Sequence, residues 1–164
     1  MTRLVAVLLV VMAIAAPTPA VPAPARPVTY RAPIDPLDVV RPFDAPDSPY
    51  GPGHRGVDLA ARTGQAVRTA AAGVVTFAGS VAGRGVVVVA HADGVRTEYE
   101  PVLPSVRRGA ILGPRAVLGR VDGTHGSCDA GGCLHWGARR GDEYFDPLLL
   151  LSRLGPVRLL PWDS

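Results

Sequence analysis

Two β-branched runs joined by a short turn constrain this chain more than any other feature. Gly85-Val86-Val87-Val88-Val89-Ala90-His91 passes through Ala92-Asp93-Gly94 into Val95-Arg96-Thr97-Glu98-Tyr99-Glu100. Branching at Cβ suits a pleated surface and works against helix, and an Asp-Gly turn between two such arms predicts an antiparallel hairpin. The texture recurs at residues 73–78, 116–121 and 133–138, with glycine between the runs and no internal repeat. Short strands punctuated in this way predict an all-β domain, an antiparallel sheet or sandwich. Helix is expected only at residues 147–154, as a short C-terminal element.

The domain so defined covers residues 37–151 and is flanked by segments of different character. Arg3 precedes an unbroken apolar run over residues 4–16, and Ala13-Ile14-Ala15 or Thr18-Pro19-Ala20 offers a signal-peptidase site. The run ends at Pro17, short of the about 20 apolar residues that span a bilayer. Residues 1–20 are therefore expected to be a cleaved export signal, with a retained N-terminal membrane anchor as the alternative. Residues 21–36 contain Pro22, Pro24, Pro27, Pro33 and Pro36 and read as an extended tether. Residues 152–164 read as a tail. The expected location is outside the cytoplasm, at the cell wall. A formal net charge of +3 and the lack of a basic stripe interleaved with aromatics argue against nucleic acid as a partner.

Chemistry concentrates in two places. Gly53-His54-Arg55-Gly56-Val57-Asp58 carries a histidine and a carboxylate four residues apart, which face the same side of an extended segment. Far downstream, Cys133 and His135 share a face of one expected strand. Two imidazoles and a carboxylate form the donor set of a hydrolytic zinc, with a fourth position left for water. Cys128 and Cys133 enclose only residues 129–132, and in an oxidising compartment a disulfide is expected. The alternative is a Cys133 thiolate at the metal, which would close the site.

Residues 53–60, Gly64-Gln65-Ala66-Val67, Gly73-Val74-Val75, His91 with Gly94 and Tyr99, the glycine-spaced stretch 109–119, and Asp146-Pro147 occur in an order with family character. The run from about residue 39 to 151 resembles the lysostaphin-type, LytM-like zinc endopeptidases, a family of bacterial cell-wall hydrolases. The resemblance implies a β-sheet domain that acts on peptidoglycan peptides, with Zn2+ held by His54, Asp58 and His135. It also implies two histidines that are not ligands but activate the attacking water and stabilise the tetrahedral intermediate. Cys133 stands in one of those places and Pro101, two residues past Tyr99, in the other. Each such loss typically costs about 10²–10⁴ in rate.

His125, just before Cys128, is the candidate replacement base, and an exposed loop histidine is the competing reading. Glu98 and Glu100 are set aside because they alternate to the opposite strand face from Tyr99. His91 reads as a hairpin residue, Trp136 as core, and Tyr144 as a buttress of the final turn. Arg55, Arg139 and Arg140 read as solvated surface charges, with contact to an acidic wall polymer as the alternative. Two functions follow: an exported zinc peptidase cutting peptidoglycan crosslinks, or an inactive family member that binds peptidoglycan or regulates a partner cell-wall hydrolase.

Overall fold

Side chains alternate in and out along the expected hairpin, with Val95, Thr97 and Tyr99 buried and their neighbours more exposed. That period of two is what lets one sheet face a core and the other face carry chemistry. The computed structural model describes residues 27–48, 51–123 and 132–151. In chain order the strands are β1 (Val39–Arg41), β2 (Gly56–Ala60), β3 (Ala66–Arg68), β4 (Gly73–Val81), β5 (Arg84–Ala90) and β6 (Val95–Glu100). They continue as β7 (Val102–Pro104), β8 (Ile111–Leu112), β9 (Val117–Val121), β10 (Cys133–Arg140) and β11 (Glu143–Phe145).

Every strand pairing is antiparallel. The larger sheet runs β1-β2-β10-β6-β5-β4-β8 with β11 added to β10, and the smaller runs β3-β9-β7. The all-β antiparallel architecture is thus as the sequence predicts. The expected C-terminal helix is a single 3-10 turn, Pro147–Leu150. Asp146 caps it, its Oδ1 accepting from Leu148 N at 2.9 Å.

The core lies between the sheets. Val57, Leu59, Val75, Val87, Val89, Tyr99, Leu134 and Trp136 of the larger sheet meet Val67, Val102, Leu118 and Val121 of the smaller. Each fully buried side chain of this size stabilises the fold by about 1.5–3 kcal/mol relative to exposure. Strand register then decides what lies on the other face. Trp136 is opposite Tyr99 and Val57, so the next row out, Asp58–His135–Glu100, points away from the core. Directly opposed residues share a face.

The segment expected as a tether is packed from Tyr30 onward. Arg31 N donates to Ala70 O, Arg68 N donates to Pro33 O, and Ile34 is buried. The Arg115 guanidinium donates to Ala32 O, and the Tyr30 hydroxyl donates to Asp93 at 2.8 Å. Proline removes donors but not acceptors, so a proline-rich strap still binds through its carbonyls.

His91 is more than a hairpin residue, because it ends a buried chain of hydrogen bonds. Ala70 N donates to the Tyr99 hydroxyl, which donates to Thr97 Oγ1, which donates to His91 Nε2, each at 2.8 Å. His91 Nδ1 then donates to Ala72 O at 2.9 Å. The direction is fixed because an amide N–H at one end only donates and a carbonyl at the other only accepts. The chain fastens residues 70–72 to β6. Burial pushes the His91 imidazole below its ordinary pKa of 6.5.

Candidate metal centre

His54 is placed by backbone before its side chain enters the argument. It pairs with Asp44 in an isolated bridge, each N–H donating to the other's carbonyl at 3.0 and 2.7 Å. The ring Nδ1 then lies 2.6 Å from Pro42 O. A carbonyl only accepts, so this contact puts the proton on Nδ1 and leaves the Nε2 lone pair aimed at β2.

Asp58 on β2 and His135 on β10 are directly opposed. His54 Nε2 is 3.0 Å from Asp58 Oδ1 and 3.1 Å from His135 Nδ1, and the last two are 2.9 Å apart. All three residues are buried. The ring of His135 rests on a floor without side chains: a Cβ on Gly56 would sit 2.6 Å from its Nε2, and one on Gly137 3.6 Å.

This arrangement fits a metal ion. With His54 protonated on Nδ1, a proton on His135 Nδ1 satisfies at most one of the three contacts. His54 Nε2 and Asp58 Oδ1 would still meet lone pair to lone pair at 3.0 Å. A cation shared by all three removes that repulsion. Bonds of about 2.0–2.2 Å in a tetrahedral site place ligand atoms about 3.3 Å apart, close to the separations here. Two imidazole nitrogens and one carboxylate oxygen suit Zn2+. The three residues expected as ligands are therefore brought together, with all donor atoms within 4.8 Å of one another.

The other expected residues fall as follows. Cys133 opens β10 opposite Ala60, on the same strand parity as His135, and is buried. Among the described residues no cysteine is free. Cys128, His125, the export segment and the tail lie outside the described residues. Pro101 lies between β6 and β7, its carbonyl accepting from Asp122 N at 3.1 Å. Trp136 is core.

Tyr144 acts as a buttress, its hydroxyl donating to Glu98 Oε2 at 3.1 Å while Arg139 Nε donates to Glu98 Oε1 at 2.7 Å. Burial and the Glu98 carboxylate hold the Tyr144 hydroxyl above its ordinary pKa. Arg139 is thus an anchored side chain rather than a solvated one. Arg55 Nη2 donates to Gly51 O, and the side chain lines a cleft of about 530 Å³ with Pro46, Asp47, Asp142 and Tyr144.

Two features lie outside the expectations drawn from the sequence. The Pro42 carbonyl that orients His54 leaves no trace there, since any residue carries one. Glu100 was legible: Tyr99 is the inward residue of β6, so the opposite parity, set aside above, is the metal face.

A β-sandwich with a buried His–Asp–His donor set on the outer face of its larger sheet defines a metallopeptidase-type domain. Residues 52–147 match the model of Peptidase family M23, and the chain belongs to that family. An uncharacterized protein of Mycobacterium tuberculosis (strain H37Rv) is 49% identical over 133 residues, which is 79% of this chain and 53% of that protein. The chain thus spans about half the length of that relative. The DD-carboxypeptidase/endopeptidase Mpg of Neisseria gonorrhoeae is 35% identical over 102 residues, 58% of this chain and 22% of Mpg. Among solved structures, the SpoIIQ–SpoIIIAH pore forming complex contains a chain with the same fold. It has a TM-score of 0.64 and 24% identity, covering 77% of this chain and 92% of that one.

Proposed function

We propose that this protein is an exported zinc peptidase that hydrolyses peptide crosslinks of peptidoglycan outside the cytoplasm. The observation that carries the reading is the convergence of His54 Nε2, Asp58 Oδ1 and His135 Nδ1, in a tautomeric arrangement that calls for a cation. Zinc, when bound, supplies Lewis acidity toward a scissile carbonyl and makes water nucleophilic at neutral pH. The chain's own part is to hold that ion on three sides, with Pro42 O fixing His54 and the two glycines seating His135. The family and the peptidase activity in the name of the neisserial relative support this substrate class. The apolar run 4–16 supports export. A Cys128–Cys133 disulfide belongs to the same reading, because it keeps the Cys133 sulfur off the metal; the lack of a free cysteine among the described residues supports it.

Cys133 and Pro101, in the places of the family's helper histidines, favour a second reading: a domain that binds wall peptides or regulates a partner cell-wall hydrolase without cutting. The experiment that separates the two is release of soluble fragments from purified peptidoglycan by the mature protein. It is run with zinc, with a chelator, and with Asp58→Ala. Release that vanishes in both controls supports the peptidase. A folded, zinc-loaded protein that releases nothing is the binding module.

A further inference from the structure

We propose that Glu100 is the proton-accepting residue of this site, an inference that rests on the peptidase reading above. Hydrolysis of a peptide bond needs a group that takes a proton from the attacking water and returns it to the leaving amine. Neither Cys133 in a disulfide nor Pro101 can do this.

Strand register supplies a substitute. Asp58 on β2, His135 on β10 and Glu100 on β6 form one lateral row, two ligands and then a carboxylate, on the face away from the core. Directly opposed residues in antiparallel strands have Cβ atoms about 4.5–5.5 Å apart, so Glu100 is the immediate neighbour of a metal ligand. Its side chain is 20% exposed, enough to meet substrate and sheltered enough to be held. Arg84 Nε contacts Oε2 at 3.4 Å from β5, the flank of β6 away from His135. The ion pair holds the carboxylate from that flank.

Two other titratable groups of the sheet are held in other roles. Glu98 has both oxygens engaged, by Arg139 and Tyr144. His91 lies on the core-side parity of the sheet with both ring nitrogens in the Tyr99 chain. A carboxylate beside the metal is a sound chemical choice, since zinc hydrolases with the His-Glu-x-x-His signature use one as general base.

The water oxygen bonds to the scissile carbonyl carbon while one of its protons passes to the Glu100 carboxylate. The carbon–nitrogen bond then breaks and that proton moves to the departing nitrogen. The second water hydrogen leaves from the new carboxyl group as it ionises, and Glu100 is restored as the carboxylate.

The test uses mature, zinc-loaded protein on purified peptidoglycan, comparing the wild type with Glu100→Gln and Glu100→Asp. Zinc affinity is measured separately by competition with a chromogenic chelator, and melting temperature is followed. Glu100→Gln keeps the shape and removes the basicity. The expected result is a loss in kcat of about 10²–10⁴, with KM, zinc affinity and melting temperature unchanged and part of the rate returned by Glu100→Asp. A Glu100→Gln variant within about threefold of wild type in kcat overturns the assignment and leaves the peptidase reading intact. Weaker zinc binding in Glu100→Gln also overturns it, because Glu100 would then be a ligand. A wild type that binds zinc and releases no fragments overturns both readings.

Discussion

Gly56→Ala should damage the metal centre through a single methyl group. An alanine Cβ at this position would lie 2.6 Å from His135 Nε2 and 2.7 Å from Cε1, and closer still to the carbonyl oxygen of Trp136. Ordinary contact begins near 3.4 Å. The imidazole must therefore recede by about 0.8 Å, or β10 must move off β2, and neither neighbour is the free end of a flexible side chain. Overpacking of this kind costs about 1–3 kcal/mol. A loss of this size lowers the melting temperature of such a domain by roughly 3–15 °C.

Metal binding is the sharper readout. His135 Nδ1 is 2.9 Å from Asp58 Oδ1 and 3.1 Å from His54 Nε2, so displacement of its ring opens both contacts. Perturbing the support of a ligand typically costs about 10–100-fold in metal affinity. Chelator competition and thermal melting should be run beside Gly113→Ala, an exposed site where an added Cβ meets nothing within 4 Å. That control should stay within about 0.5 kcal/mol of wild type. A Gly56→Ala protein that melts within 2 °C (roughly 0.5 kcal/mol) of wild type and binds zinc equally well would refute the close-packed floor beneath His135.

Tyr99→Phe removes the acceptor of Ala70 N and leaves that buried amide without its bond, so urea denaturation should show a loss of about 1–3 kcal/mol. His91 makes stability depend on pH. Burial lowers its folded pKa below 6.5, so between the two values the unfolded chain binds more protons and stability falls with falling pH. The loss begins as pH drops through about 6.5 and levels off below the folded value. Subtracting denaturation curves of His91→Gln from those of wild type at pH 7.5 and 5.5 isolates this contribution; a difference that does not change with pH would remove it.

The hairpin over residues 85–100 was legible because its cue is local: β-branched residues cannot pack comfortably in a helix, and Asp93-Gly94 closes the turn. The ligand set was legible because His54, Asp58 and His135 are chemically distinctive and occur at spacings a strand can bring together. Parity was the harder matter. The choice between the two faces of β6 hinges on what lies opposite, and Tyr99 invites assignment to a site because tyrosine has a polar end. In the fold its hydroxyl is spent on Ala70 N and Thr97, and its ring on the core beside Trp136. A large aromatic in a strand is inward more often than not, and an inward Tyr99 puts Glu100 on the face of His135 and Asp58.

The strap shows why part of a metal site is invisible in one dimension. Residues 30–44 carry no ligand, and the prolines as far as Pro36 signal a tether over residues 21–36. Yet the same segment hydrogen-bonds to Ala70 and Arg68, pairs β1 with β2, and ends by giving Pro42 O to His54. The tautomer of His54, and with it the direction of the Nε2 lone pair, is set by a backbone atom 12 residues upstream. On the proposed function, metal holding and proton handling therefore have separate structural origins. The first rests on the strap, the glycine floor and strand register, all backbone properties that tolerate substitution of exposed side chains. The second rests on single side chains at the rim of the site. On that reading a chain without the two helper histidines keeps its donor set intact, and a carboxylate already in the same row needs no backbone change to take up their work.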